Sequence, residues 1–340
     1  MPRHARRAVA LCLVALAASA TAEAAVRKAR RSRERPRPAP PALVVASDAS
    51  DDDRLVAEAA RRGLGAEAGS VVAMDPWSGR VIAVANPAYA VGSSFQPCSV
   101  FKIVVAIAGL TEGVITRETT IDCNGGCWMW PGHGPIDLRR ALAVSCNPFF
   151  ERVGERLGYA KVREYARLLG LGAPSGINLE GETAGRVPEA VRADRVGHLS
   201  SHAAGIATTG VQLGVLLSAT INGGVVFRPQ VAPAAGFVPK ERWRLPAGTV
   251  LAGLTQGFLS AVNEGSAATA FDPKVLVAGK TGTCASVGWF ASYAPADRPS
   301  IVIVVFLRRG NGHDASTVAG RIYQELFRAP AASSVAAGAQ

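Results

Sequence analysis

Ser99-Val100-Phe101-Lys102-Ile103-Val104-Val105-Ala106-Ile107-Ala108-Gly109-Leu110 is an almost continuous apolar helix pattern that opens with a serine and a lysine. Thr111-Glu112-Gly113 ends it. Residues three apart share one face of a helix, so Lys102 is within reach of the Ser99 hydroxyl. A place in the first turn also puts Ser99 among backbone N–H groups that have no partner inside the helix. There the helix dipole favours a developing negative charge. A serine with an amine one turn away reads as a nucleophile and its base.

The strands lie on either side of this helix in the chain. Ser70 to Met74 and Arg80 to Ala85 are Val, Ile and Ala runs joined by Asp75-Pro76-Trp77-Ser78-Gly79, which reads as a β-hairpin. Val275 to Ala278, Val287 to Tyr293 and Ile301 to Leu307 read as three more strands. Strands from both ends of the chain close most simply into one sheet. The expected fold is α/β of the α+β kind: a central antiparallel five-stranded sheet flanked by helices, with a mainly helical subdomain inserted in the middle of the chain.

Two further motifs carry polar groups. Ser145-Cys146-Asn147 falls between the helical patterns Ile136 to Val144 and Pro148 to Leu157. Pro148 suits a first helical position and Asn147 a cap, so taken alone the motif is helix punctuation. Lys280-Thr281-Gly282-Thr283 ends a strand pattern, and Gly282 lets another chain segment approach the backbone. A lone Lys-Thr-Gly says little, but this one lies 178 residues beyond Lys102 and precedes Gly288-Trp289-Phe290.

The net charge of +11 would suggest a nucleic-acid partner if it were spread over the fold. Residues 1 to 37 hold ten of the 37 cationic residues and two of the 26 acidic ones, so the remainder carries only +3. No nucleic-acid partner is expected. Arg3, Arg6 and Arg7 before the apolar run Ala8 to Ala20, with small residues to Ala24, read as an export signal. The run is shorter than the roughly 20 residues that span a bilayer, so cleavage is favoured over a retained anchor. The expected organisation is a signal at 1–24, a basic Pro-rich tether and acidic linker at 25–65, a catalytic domain at 66–328 and a disordered tail at 329–340. The tether could touch an anionic cell envelope, and the domain is expected to be exported, to the periplasm or the outer face of the cytoplasmic membrane.

Five cysteines follow the signal: Cys98, Cys123, Cys127, Cys146 and Cys284. Export permits disulfides, and Cys123 with Cys127 fits either a small disulfide loop or two reduced thiols. Cys98, Cys146 and Cys284 each adjoin a motif and read as small side chains filling tight space. No zinc-like Cys/His pairing is expected, and His133 and His202 read as structural.

With these motifs on the page, the chain resembles the transpeptidase domain of penicillin-binding proteins, from about Gly69 to Arg328. The resemblance extends to Val71-Val72-Ala73-Met74-Asp75-Pro76, Gly132-His133-Gly134, Gly170-Leu171-Gly172, Ser175-Gly176-Ile177 and Trp289-Phe290-Ala291. It implies a D,D-transpeptidase acting on the D-Ala-D-Ala stem peptides of peptidoglycan, and binding of β-lactams, with no cofactor and no metal. Carried over residue by residue, Ser99 is the nucleophile, Lys102 its base, and Ser145 with Asn147 the proton relay. Lys280, Thr281 and Thr283, around Gly282, hold the substrate carboxylate, and the N–H groups of Ser99 and Thr283 form an oxyanion hole. The alternatives are a class D-like serine β-lactamase, a D,D-carboxypeptidase and a non-catalytic β-lactam sensor. Phe101-Lys102-Ile103 fits the class D enzymes, but Asn147 stands where they place a small apolar residue. Ser201 to Gln212 departs from the family pattern, and protein partners are not legible.

Overall fold

The computed structural model describes residues 40–328. The expected signal, the tether up to 39 and the tail from 329 lie outside the described residues. In chain order the structure runs through β1 (Leu43–Val44), α1 (Asp51–Leu64), β2 (Gly69–Met74), β3 (Arg80–Ala85) and the single turn α2 (Pro87–Ala90). A 3₁₀ turn, Cys98–Phe101, leads into α3 (Lys102–Thr111), followed by β4 (Ile121–Asn124), β5 (Gly132–Ile136), α4 (Leu138–Ala143), α5 (Asn147–Leu168) and α6 (Val196–His202). Next come α7 (Gly210–Ile221), β6 (Val225–Phe227), β7 (Gln230–Val231), β8 (Glu241–Arg244) and α8 (Leu254–Asn263). The chain closes with β9 (Ala278–Cys284), β10 (Val287–Ala294), β11 (Ile301–Leu307) and α9 (Gly312–Leu326).

The main sheet has the order β1-β3-β2-β11-β10-β9, with β7 joined to β3. Four of the five expected strands and β9, which starts where the fifth is expected to end, form its antiparallel body, and the two-residue strands β1 and β7 extend it. The two ends of the chain meet where β11 pairs with β2, Val304 opposite Val72. Both faces are covered, which explains why Ile301 to Leu307 is apolar at every position instead of alternating. Val72, Met74, Trp289, Val304 and Phe306 enter one core, against α7 and the helical middle of the chain. Val71, Ala73, Phe290, Ile303 and Val305 enter the other, against α1 and α9.

Three expectations shift. Residues 51 to 64, read as acidic linker, form a 14-residue helix that packs on the sheet with Ala57, Ala59, Ala60 and Leu64 buried. Ser50 Oγ caps it by accepting from Asp53 N at 3.1 Å, the three aspartates sit favourably at the positive end of the dipole, and Asp53 pairs with Arg80 at 2.9 Å. An acidic run after a serine is thus a helix start. Second, the strand expected to end near Ala278 begins there and carries Lys280 to Thr283 within it, with Lys280 and Thr281 buried at the site and Thr283 exposed. Third, Asn147 is the first residue of α5 and Cys146 occupies the cap position, so the asparagine side chain is free for other work. Among the described residues no helix is long and apolar enough to cross a membrane.

Candidate active site

The Ser99 turn is held against the edge strand β9. Gly282 makes that approach possible, since a Cβ there would lie 2.5 Å from Pro97 O. Cys98 and Cys284, flanking Ser99 and Thr283, are joined by a disulfide with their Cα atoms 5.7 Å apart. Cys98 adopts a left-handed φ of 54°, a conformation costly for a residue with a Cβ, and the bond and the packing hold it there. Trp289 Nε1 donates to Gln96 O at 2.9 Å and pins the loop before the turn. The two cysteines read as space-filling are therefore a covalent clamp between the first and third motifs.

Lys102 opens α3 with its side chain fully buried. A 3₁₀ turn eclipses residues i and i+3, which places Ser99 and Lys102 on one side. The Nζ has three polar partners: Asn147 Oδ1 at 2.6 Å, Ser145 O at 2.8 Å and Ser145 Oγ at 3.2 Å. Three acceptors match the three protons of an ammonium. Burial opposes that charge and brings the lysine pKa down to about 7.

Ser145 lies between two amines. Lys280 Nζ donates to its Oγ at 2.8 Å and to Thr281 O at 3.0 Å. Burial, followed by the neighbouring Lys102 charge, holds Lys280 well below the usual lysine range. Ser145 also has a left-handed φ, 58°, which turns its carbonyl and its hydroxyl toward the same amine.

A cavity of about 410 Å³ opens above these groups, lined among others by Ser99, Ser145, Asn147, Thr281 and Thr283. Ser99 Oγ has no hydrogen-bond partner among the described residues and is half-exposed into that space. Thr283 Oγ1 accepts from Gly312 N at 2.7 Å, which leaves its own proton to donate, and Thr281 Oγ1 pairs with Ser266 Oγ at 2.7 Å. The close seat of α9 on β9 depends on Gly312, whose added Cβ would stand 2.7 Å from Thr281 Cβ. The structure thus gathers Ser99, Ser145, Asn147, Thr281 and Thr283 at one cleft, with Gly282 and the fully buried Lys102 behind them. Lys280 reaches the cleft only through Ser145.

Two features are absent from the sequence reading. His202, read as structural, lines the cavity and lies with Nε2 3.2 Å from Asn147 Nδ2. A histidine 55 residues from Asn147 offers no local signal of this contact. Cys123, Cys127, His133 and Cys146, for which no zinc-like pairing was expected, bring one ligand atom each to within 4.8 Å of one another. All three thiols are free, so Cys123 and Cys127 form no disulfide. His133 Nε2 is buried with no partner, while Cys123 Sγ lies 3.4 Å from His133 Nδ1. Three thiols and an imidazole are the donor set of a tetrahedral zinc site, so these four residues could hold such an ion. The spacing hides them because the fourth donor comes from the second motif, across the β4–β5 hairpin.

A family model, the penicillin binding protein transpeptidase domain, matches residues 69–328. Among curated proteins, the chain is similar to the stage V sporulation protein D of Bacillus subtilis, 30% identical over 275 residues, covering 70% of this chain and 42% of that protein. It is also similar to the peptidoglycan D,D-transpeptidase MrdA of Haemophilus influenzae, 27% identical over 286 residues, covering 67% of this chain and 44% of the relative. The chain therefore spans less than half the length of these two relatives. Among solved structures, the TP domain of Burkholderia pseudomallei penicillin-binding protein 3 superposes with a TM-score of 0.74 at 18% identity, covering 84% of this chain and 96% of that one. The D,D-transpeptidase domain of a peptidoglycan glycosyltransferase from Eggerthella lenta gives 0.66 at 21% identity, covering 80% of each chain. At those identities the likeness carries the fold.

Proposed function

Since the chain belongs to the penicillin-binding protein transpeptidase domain family, we propose that it is an exported serine acyltransferase, a D,D-transpeptidase acting on D-Ala-D-Ala stem peptides. The observation that carries this reading is the buried Lys102 amine, lowered to about 7, one turn from a cavity-facing Ser99.

In this reading Ser99 Oγ attacks the carbonyl of the penultimate D-Ala while its proton passes to neutral Lys102. The N–H groups of Ser99 and Thr283 receive the oxyanion, on a strand and a turn that the Cys98–Cys284 bond keeps together. The C–N bond then breaks, and Ser145 delivers a proton to the departing D-Ala amine, drawing on the amines at 3.2 and 2.8 Å from its Oγ. An acceptor amine attacks the acyl-enzyme ester to form the cross-link, the C–Oγ bond breaks, and the proton that the amine loses passes to Ser99 Oγ. Thr281 and Thr283, which face the cavity, bind the terminal carboxylate, and buried Lys280 serves the proton relay through Ser145. Cys123, Cys127, His133 and Cys146 would hold a zinc-class ion as an anchor for the segment that carries Ser145, outside the proton path.

The surroundings of Lys102 favour acyl transfer over the class D β-lactamase alternative. A carbamate on Nζ would need room and its own donors, whereas Nζ is already surrounded by Asn147 Oδ1, Ser145 O and Ser145 Oγ. Product analysis with a defined stem peptide and an amine acceptor tests the proposal. An amide joining the shortened stem peptide to the acceptor, with release of D-Ala, supports transpeptidation; hydrolysed peptide alone would move the assignment to a carboxypeptidase.

A further inference from the structure

We propose that His202 is a positioning residue that fixes the Asn147 amide, and through it the Lys102 amine, by means of a hydrogen-bond chain ending at Glu151. The proposal rests on the reading of Lys102 as the base, but the chain itself is a matter of geometry. Lys102 Nζ lies 2.6 Å from Asn147 Oδ1, Asn147 Nδ2 lies 3.2 Å from His202 Nε2, His202 Nδ1 lies 2.6 Å from Ser201 Oγ, and Ser201 Oγ lies 2.9 Å from Glu151 Oε1.

The two ends of this chain dictate every polarity inside it. A protonated Lys102 can only donate, and a neutral one keeps two N–H groups for Asn147 Oδ1 and Ser145 O, so the asparagine oxygen faces Lys102 and the NH₂ faces His202. His202 Nε2 must then be the unprotonated acceptor, and the ring proton sits on Nδ1. At the far end the Glu151 carboxylate can only accept, so Ser201 donates to it and accepts from Nδ1. One tautomer of one neutral imidazole satisfies all four contacts. A proton on Nε2 would set N–H against N–H and favour an amide flip, which would withdraw the oxygen from Lys102.

The environment of His202 suits that state. Burial opposes a positive charge on the ring, followed by the stacked His198 ring from its own helix, 4.4 Å between centroids, and by Lys102 from α3. Glu151 from α5, 3.8 Å from Nδ1, favours one but is outweighed. The backbone of His202 is itself held, its carbonyl accepting from Gln96 Nε2 at 2.6 Å, one residue before the loop end that Pro97 supplies to the Ser99 turn. Glu151, His198 and His202 also have donor atoms within 4.8 Å of one another, but both nitrogens of His202 are committed to the chain.

The test uses the full chain and two readouts. Long-range ¹H–¹⁵N correlation spectra of the uniformly ¹⁵N-labelled protein near pH 7.5 should show the His202 ring protonated at Nδ1 and bare at Nε2, assigned against His202→Gln. This readout stands even if the protein acylates slowly or not at all. Acylation by a fluorescent penicillin, followed from pH 5 to 9, should fall about 10- to 100-fold in His202→Ala, a loss of the size that misplacement of a reacting group produces. His202→Gln, whose carbonyl can accept from Asn147, should recover most of the rate. Both variants should also lose one of the two protonations that steepen the acid limb of the wild-type profile. An Nε2–H tautomer, or an unchanged rate and acid limb in His202→Ala, would overturn the proposal.

Discussion

Lys280 Nζ donates to Ser145 Oγ at 2.8 Å from a fully buried position. The family resemblance implies that this lysine meets the substrate carboxylate, but it does not line the cavity. In the proposed mechanism its effect passes through the serine. Lys280→Met should therefore slow acylation by a carboxylate-bearing penicillin and by its ester to a similar degree, about 100-fold or more if the proton relay is lost. Thr281→Val should discriminate, slowing the carboxylate-bearing ligand more. Rate constants for the matched pair decide this: if Lys280→Met spares the ester, direct contact with the carboxylate is restored.

The lowered pKa of Lys102 sets a pH dependence. Only the neutral amine accepts the Ser99 proton, so acylation should rise roughly tenfold per pH unit just below about 7, more steeply at the acid end where His202 is also protonated, and level off above about 7. The same shift acts on stability with a definite sign. Between about 7 and the ordinary lysine value of 10.5 the unfolded chain holds a proton that the folded one lacks, so this group favours folding more as pH rises through that window. Acylation rates over pH 5 to 9 give the kinetic limb; a flat profile would remove Lys102 as the base.

The Cys98–Cys284 bond closes a separation of 186 residues around the two halves of the proposed oxyanion hole. Chain-entropy reasoning puts its stabilisation at up to about 5 kcal/mol, with 2–4 kcal/mol typical of measured cases. Cys98→Ser with Cys284→Ser should lower Tm by roughly 5–15 °C and slow acylation as well, because the bond joins neighbours of Ser99 and Thr283. Calorimetry and acylation kinetics on the double variant check both. An unchanged acylation rate would reduce the bond to a stability element.

For the thiol and imidazole cluster, the measurement is metal content. Protein purified without chelator should carry about one equivalent of zinc, and Cys127→Ser or His133→Ala should lose most of it. Removing the ion should broaden or lower thermal unfolding, since Cys146 borders Ser145 and Asn147. Absence of bound metal from protein prepared with zinc present would leave four unligated side chains.

Much of this molecule is written locally in the sequence. The apolar runs Arg80 to Ala85 and Ile301 to Leu307 declare themselves as strands, and Ser99 with Lys102 share a helix face by spacing alone. The rest depends on groups brought together by the fold. Asp51 to Asp53 look like solvated linker until Ser50 is read as a cap and Arg80 is placed beside Asp53. Cys98 and Cys284 are each unremarkable until β9 is laid along the Ser99 turn. His202 acquires its partners from the first turn of α5, where Asn147 and Glu151 share a face, and Cys146 from the β4–β5 hairpin.

The central claim is that Ser99 forms the acyl-enzyme, and intact-mass measurement after penicillin treatment tests it most directly. The expected result is a single covalent adduct on the wild-type protein that persists after free penicillin is removed, is not released faster by added bicarbonate, and is absent from Ser99→Ala. An undiminished adduct in Ser99→Ala would contradict the assignment of the nucleophile, and rapid bicarbonate-dependent release would point to a class D β-lactamase instead.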